Sequence, residues 1–267
     1  MNTFLSPCAL RRVILLLALT NRLQVVKISQ VFNRLYEVRM SGNNETFSWK
    51  FYLLVVLALG ALLGLAESLL GGLARDVGLP RSPVVTGAGF AVMALGLAIF
   101  KQARIIPGIA LMAVFAKWLA SPLLGLPVFC QANSHLALLL NGAFLFAGVS
   151  LARKKIAGNG NMQGAVAGMA ACAGSAAFFA LGRFVAPCAH LLSFRYAGGA
   201  ASYLLTRVAP AALLGAALFP LGYALGRKLE KRLLPLWLAR KPLFAPLAAA
   251  GALACWGLTV WLIASGW

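Results

Sequence analysis

The chain has 267 residues, 61% of them hydrophobic, and only five acids against 24 Lys and Arg. A soluble domain of this size could not bury that much apolar surface, and a β-barrel would show short alternating segments in place of long apolar runs. The formal charge of +19 sits in short loops between those runs, which reads as membrane topology and not as a nucleic-acid surface. The expected fold class is all-α: a polytopic membrane helix bundle with six or seven transmembrane helices.

Residues 1–50 form a basic N-terminal segment with three open readings. "ALRRVILLLALTNR" has the charged start and short apolar core of a signal peptide, but no clear small-residue cleavage site follows. "LQVVKISQVFNRLYEVR" is basic and suits an interfacial helix. Met40 opens "MSGNNETFSWKFYLL", which looks like a natural start, so residues 1–39 would then be an over-extension.

Residues 51–267 read as one transmembrane domain. Apolar segments are expected at 51–73, 83–100, 105–120, 134–152, 164–186, 200–226 and 243–264, each near the length that crosses hydrocarbon. Pro107 falls at the start of the third, and Pro210 and Pro220 fall inside the sixth, where they should kink it and free carbonyls. Basic residues follow the second segment (Lys101, Arg104), the fourth (Arg153, Lys154, Lys155) and the sixth (Arg227, Lys228, Lys231, Arg232, Arg240, Lys241). The positive-inside rule then places the N-terminus inside and the C-terminus outside, in what is expected to be a bacterial cytoplasmic membrane. Arg75, Arg81, Arg183, Arg195 and Arg207 are the exceptions, all on or near the outer side.

Glu67 stands where lipid contact would favour another leucine. Gly60, Gly64, Glu67 and Gly71 form one helical stripe, and small residues let a neighbouring helix approach, so Glu67 should face protein. At 1.5 Å per residue, Glu67 lies about 24 Å above the inner end of its helix and Lys117 about 18 Å above the start of the third. Lys117 shares a stripe with Ala110, Ala113 and Ser121, and Ser134 shares a face with Asn141. Glu67, Lys117, Asn133, His135, Asn141, Arg183 and Arg207 therefore all fall in the outer half. The expectation is a chamber toward the outside, over an apolar floor, for a small polar or anionic solute. Snorkelling of the cations to the interface and a simple Glu67–Lys117 fastener are the competing readings.

Among the cysteines, Cys172 and Cys255 read as small packing residues in apolar helices. Cys130, His135, Cys188 and His190 lie toward the outer side. They leave open a soft-metal site, a Cys130–Cys188 disulfide, or neither. No nucleotide-binding or hydrolase motif occurs, and no cofactor is expected.

Through its size, its short helices and stretches such as "LGALLGLAESLLGGLARDVGLP" and "IIPGIALMAVFAKWLASPLLGLP", the chain resembles the substrate-binding S component of energy-coupling-factor transporters over about residues 51–226. The resemblance implies capture of a small nutrient near the outer face and docking, through small-residue helix surfaces, on a transmembrane coupling subunit with cytoplasmic ATPases. The Gly60–Gly64 stripe would suit such docking. The family has six helices with both ends inside, whereas seven are counted here. The alternatives are a membrane enzyme acting on a lipid-linked or phosphate-bearing substrate at the outer leaflet, and an assembly subunit without a ligand. Membrane lipid is the remaining expected partner.

Overall fold

The computed structural model describes residues 49–123, 132–185, 199–239 and 241–265. The N-terminal segment, Cys8, Cys130, Cys188, His190 and Arg195 lie outside the described residues, and so does any site or disulfide built on them.

Seven long helices follow one another: α1 (Trp49–Asp76), α2 (Arg81–Phe100), α3 (Ile105–Leu123), α4 (Ala132–Leu151), α5 (Gly160–Val185), α6 and α7 (Lys241–Ala264). The sixth, α6, is a continuous helical run of Gly199–Tyr203, a π turn at Leu204–Val208, and Ala209–Ala239. All seven coincide with the expected apolar segments. Six are long and apolar enough to cross a membrane, and α3 adds a shorter apolar helix over Ile105–Leu119. Leu53, Leu69, Leu111, Phe115, Leu213 and Leu221 are among the large apolar side chains left on the outside of the bundle, as lipid contact requires. The chain is an integral membrane protein.

Local chemistry sets the corners. At the end of α1, Gly78 adopts φ +71°, its N–H bonds Arg75 O, and the Leu79 N–H bonds Ala74 O at 2.7 Å. That is a Schellman stop, with glycine at the left-handed position and Pro80 closing off further helix. It delivers Arg81 directly to the start of α2. Lys101 ends α2 in the left-handed region at φ 54°, and only three residues separate it from Ile105, which begins α3. Connections this short make α1, α2 and α3 antiparallel in sequence order.

Helix α2 is the bundle's centre, packed along α6 and against α1. Its contact with α6 is backbone-close: a Cβ at Gly222 would collide with the Ala91 backbone, and one at Gly226 with that of Leu95. A second close approach joins α1 and α3, where a Cβ at Gly60 would overlap Met112 and crowd the Ala113 amide at 3.2 Å. The glycine stripe of α1 therefore faces protein, as expected. It is occupied by α3, however, so Gly60 and Gly64 are not a surface for docking another subunit. Cys172 also departs from expectation: it is exposed on α5, while Cys255 is half-buried on α7.

The buried apolar core lies toward the end of the bundle that carries the α2–α3 and α4–α5 connections. Phe51, Phe100 and Phe244 pack there with ring centroids 5.4–5.6 Å apart, with Ile105, Ile106 and Ile109 fully buried beside them. The basic residues ending α2, α4 and α6 gather beyond this core, where Lys101 and Glu230 form an ion pair at 2.6 Å.

Candidate functional site

The opposite end of the bundle holds a cavity of about 530 Å³ with walls from all seven helices. Its position follows from helix direction. Glu67 and Lys117 come from the second halves of α1 and α3, which run toward this end. Asn133, Ser134, Asn141, Tyr203 and Arg207 come from the first halves of α4 and α6, which run away from it.

At the centre of one wall, Lys117 Nζ lies 2.8 Å from Glu67 Oε1, and both side chains are at least nine-tenths buried. Ser134 completes the group. Its hydroxyl accepts from Lys117 Nζ at 2.5 Å and donates to Glu67 Oε1. The small stripes bring these ions together: Gly64 lies 4.0 Å, measured from an added Cβ, from the Lys117 stem, and Ala113 keeps α3 tight on α1, while Ala110 meets Gly142 of α4. An ion pair this deep is tolerable because each charge has a charge-assisted partner. Snorkelling is excluded for Lys117, whose ammonium turns inward.

Asn141 lies deeper, donating through Nδ2 to Thr86 Oγ1 at 3.3 Å. Its Oδ1 faces Gly174 of α5, where any side chain would collide with it. Tyr203 stacks on Phe179 with centroids 4.5 Å apart and reaches Ser175 O at 3.5 Å. The π turn that follows is explained by Pro210, which has no N–H to offer the Thr206 carbonyl; the widened turn ends with the Ala209 N–H on Leu204 O. Tyr203 and Arg207, on either side of that turn, both line the cavity. Phe90, Met93, Leu138 and Phe178 supply the apolar part of the wall, and Phe90 and Met93 continue into the apolar core.

Five of the seven sequence-identified residues, Glu67, Lys117, Asn133, Asn141 and Arg207, line this one space. His135 does not: it is half-buried in the first turn of α4, beside the cavity. Arg183 lies in the last turn of α5, and its side chain is outside the described set. The structure adds Arg81, Ser68, Thr86, Ser134, Ser175 and Tyr203. Two of these had a signal in the sequence: Arg81 breaks the positive-inside pattern, and Ser134 stands seven residues before Asn141. Among the described residues, no three His, Cys, Asp or Glu side chains come together as metal ligands. The chain matches no family model, no curated protein and no solved structure.

Proposed function

We propose that this membrane protein captures a small polar solute in the cavity between its helices, as the substrate-binding subunit of a transport system. The observation that carries the reading is the cavity itself. Its 530 Å³ falls in the range of small-molecule sites, and it combines apolar walls with a few convergent polar groups. The basic loops lie at the opposite end of the bundle, so the positive-inside rule puts the cavity toward the outer face and the apolar floor toward the cytoplasm. The resemblance to energy-coupling-factor S components agrees with a cavity on that side. Under that reading an ATPase-driven coupling subunit is the partner, and it docks elsewhere than on the Gly60–Gly64 stripe.

The test is mass spectrometry of small molecules and subunits retained by the gently solubilised protein. A bound solute that is lost from a Lys117→Met/Glu67→Gln variant supports capture. Retention of lipid alone, with unchanged growth and folding after alanine replacement of Arg81 and Arg207, removes it.

Enzymatic action at the outer leaflet is the second reading, favoured by one feature: the Ser134 hydroxyl sits between an amine and a carboxylate. A fluorophosphonate that labels Ser134 in the native protein, and not in Lys117→Met, would select it.

A further inference from the structure

The polarity of the cavity wall points to the kind of solute, an inference that rests on the capture reading above. The chain's own bonds satisfy part of each buried polar group and leave acceptors over. Glu67 offers Oε1 to Lys117 and Ser134, while its Oε2 has no partner. Asn141 uses Nδ2, and its Oδ1 is unmatched; Asn133 Oδ1 is unmatched as well. Glu67 is only 6% exposed and Asn141 9%, so bulk water does not compensate them. The donor that answers these oxygens, a water or a group of a bound solute, has to come from within the bundle.

These lone atoms share a sign. Among the described residues, every unmatched buried side-chain atom on the cavity lining is an oxygen acceptor; the one other, His135 Nε2, belongs to a residue beside the cavity. A solute that presented only acidic or carbonyl oxygens would leave all of them unmet and would add repulsion at Glu67. A protonated amine answers them, because a cationic N–H donor pairs best with a carboxylate oxygen.

The same cavity also carries two guanidinium groups, Arg81 and Arg207. A guanidinium has five donors, no acceptor and a permanent charge, so it selects an anion. Arg81 has no acidic partner within 4.0 Å among the described residues. Its side chain lies across the α1 backbone at Gly71, in space that any Cβ there would occupy. The apolar surfaces of Phe90, Met93 and Phe178 complete the lining.

We infer that the cavity takes an amphoteric solute, held with its amine on Glu67, Asn133 and Asn141 and its acid group on Arg81 and Arg207.

The probes are three matched sets: amino acids with apolar side chains, the corresponding des-amino carboxylic acids, and the corresponding decarboxylated amines. Binding to the full-length solubilised chain is read by thermal stabilisation and native mass spectrometry. The amino acids should bind at least about tenfold more tightly than either partner set, since each lost charged hydrogen bond removes that much or more. Arg81→Ala should erase the advantage over the amines and keep the advantage over the des-amino acids. Glu67→Gln strands the Lys117 charge and is expected to lose stability. The paired change Glu67→Gln/Lys117→Met and the single change Asn141→Leu therefore carry the converse test, erasing the advantage over the des-amino acids. Des-amino acids binding as tightly as amino acids would overturn the inference while leaving solute capture standing. Absence of binding by all three sets would overturn it too, and capture itself falls only if the native protein also retains no solute.

Discussion

Replacing Lys117 by Met tests the arrangement at its centre. The ammonium and carboxylate are 2.8 Å apart, and their side chains are 5% and 7% exposed. Coulomb's law with an effective dielectric of 20 gives an attraction of about 6 kcal/mol at that distance, set against several kcal/mol per ion for leaving water. The pair's net worth is therefore small, but removing one member leaves the other buried and uncompensated, at about 3–5 kcal/mol. Lys117→Met alone should lower the melting temperature of the solubilised protein by about 10 °C. Glu67→Gln/Lys117→Met should recover most of that loss, and Ser134→Ala, which strands no charge, should cost only about 1–3 kcal/mol. The assay is thermal unfolding in detergent, read as a double-mutant cycle. A double variant as unstable as either single one, or a single variant that melts like the native protein, would refute the buried pair.

Gly60→Val should destabilise by about 1–3 kcal/mol, because its side chain meets Met112 and the Ala113 amide; Gly257→Ala, with open space around it, should be neutral or stabilising in the same melt. Gly78→Ala should cost about 1 kcal/mol, since φ +71° disfavours a side chain. Tyr203→Phe should cost under about 1 kcal/mol, its hydroxyl contact being 3.5 Å long, whereas Tyr203→Ala should cost about 3–5 kcal/mol through loss of packing on Phe179, both read by thermal unfolding. In cells, a cysteine at Gly158 should react with an impermeant maleimide only after the membrane is opened, and one at Gly78 before it.

Much of this architecture was legible because membrane helices carry their signal in composition: apolar length located all seven helices. Stripe logic also worked for Glu67 and Lys117, since small residues at spacings of three and four have few uses in lipid other than close packing. The same logic left the partner of the Gly60–Gly64 stripe open, because a stripe shows that something packs there and not what. The π turn before Pro210 was not legible: a proline signals a disturbed helix, and only the surrounding packing decides between a kink and a widened turn. Ser175, Thr86 and Tyr203 were missed for a related reason. Small or aromatic polar residues are ordinary in membrane helices, and their meaning here comes from convergence across α2, α5 and α6. Cys172 was misread because an apolar helix has a lipid face as well as a packed one, and a thiol is at home on either.

A Glu67 that only fastened α1 to α3 would stand in simpler surroundings. A fastener needs one partner, and Lys117 would suffice. Elsewhere in the described bundle, buried polar groups are dealt with locally: Gln163 donates to Ile156 O, and Thr259 to Cys255 O on its own helix. The other buried polar residues, Glu67, Ser68, Thr86, Lys117, Asn141 and Ser175, all line a single space. Five helices supply them, and each places a polar group in an apolar medium where leucine would cost nothing. Packing gains nothing from gathering such groups around a void. A void built to receive polar molecules does require it, so the capture proposal puts Glu67 to use through the oxygen that its salt bridge leaves unused.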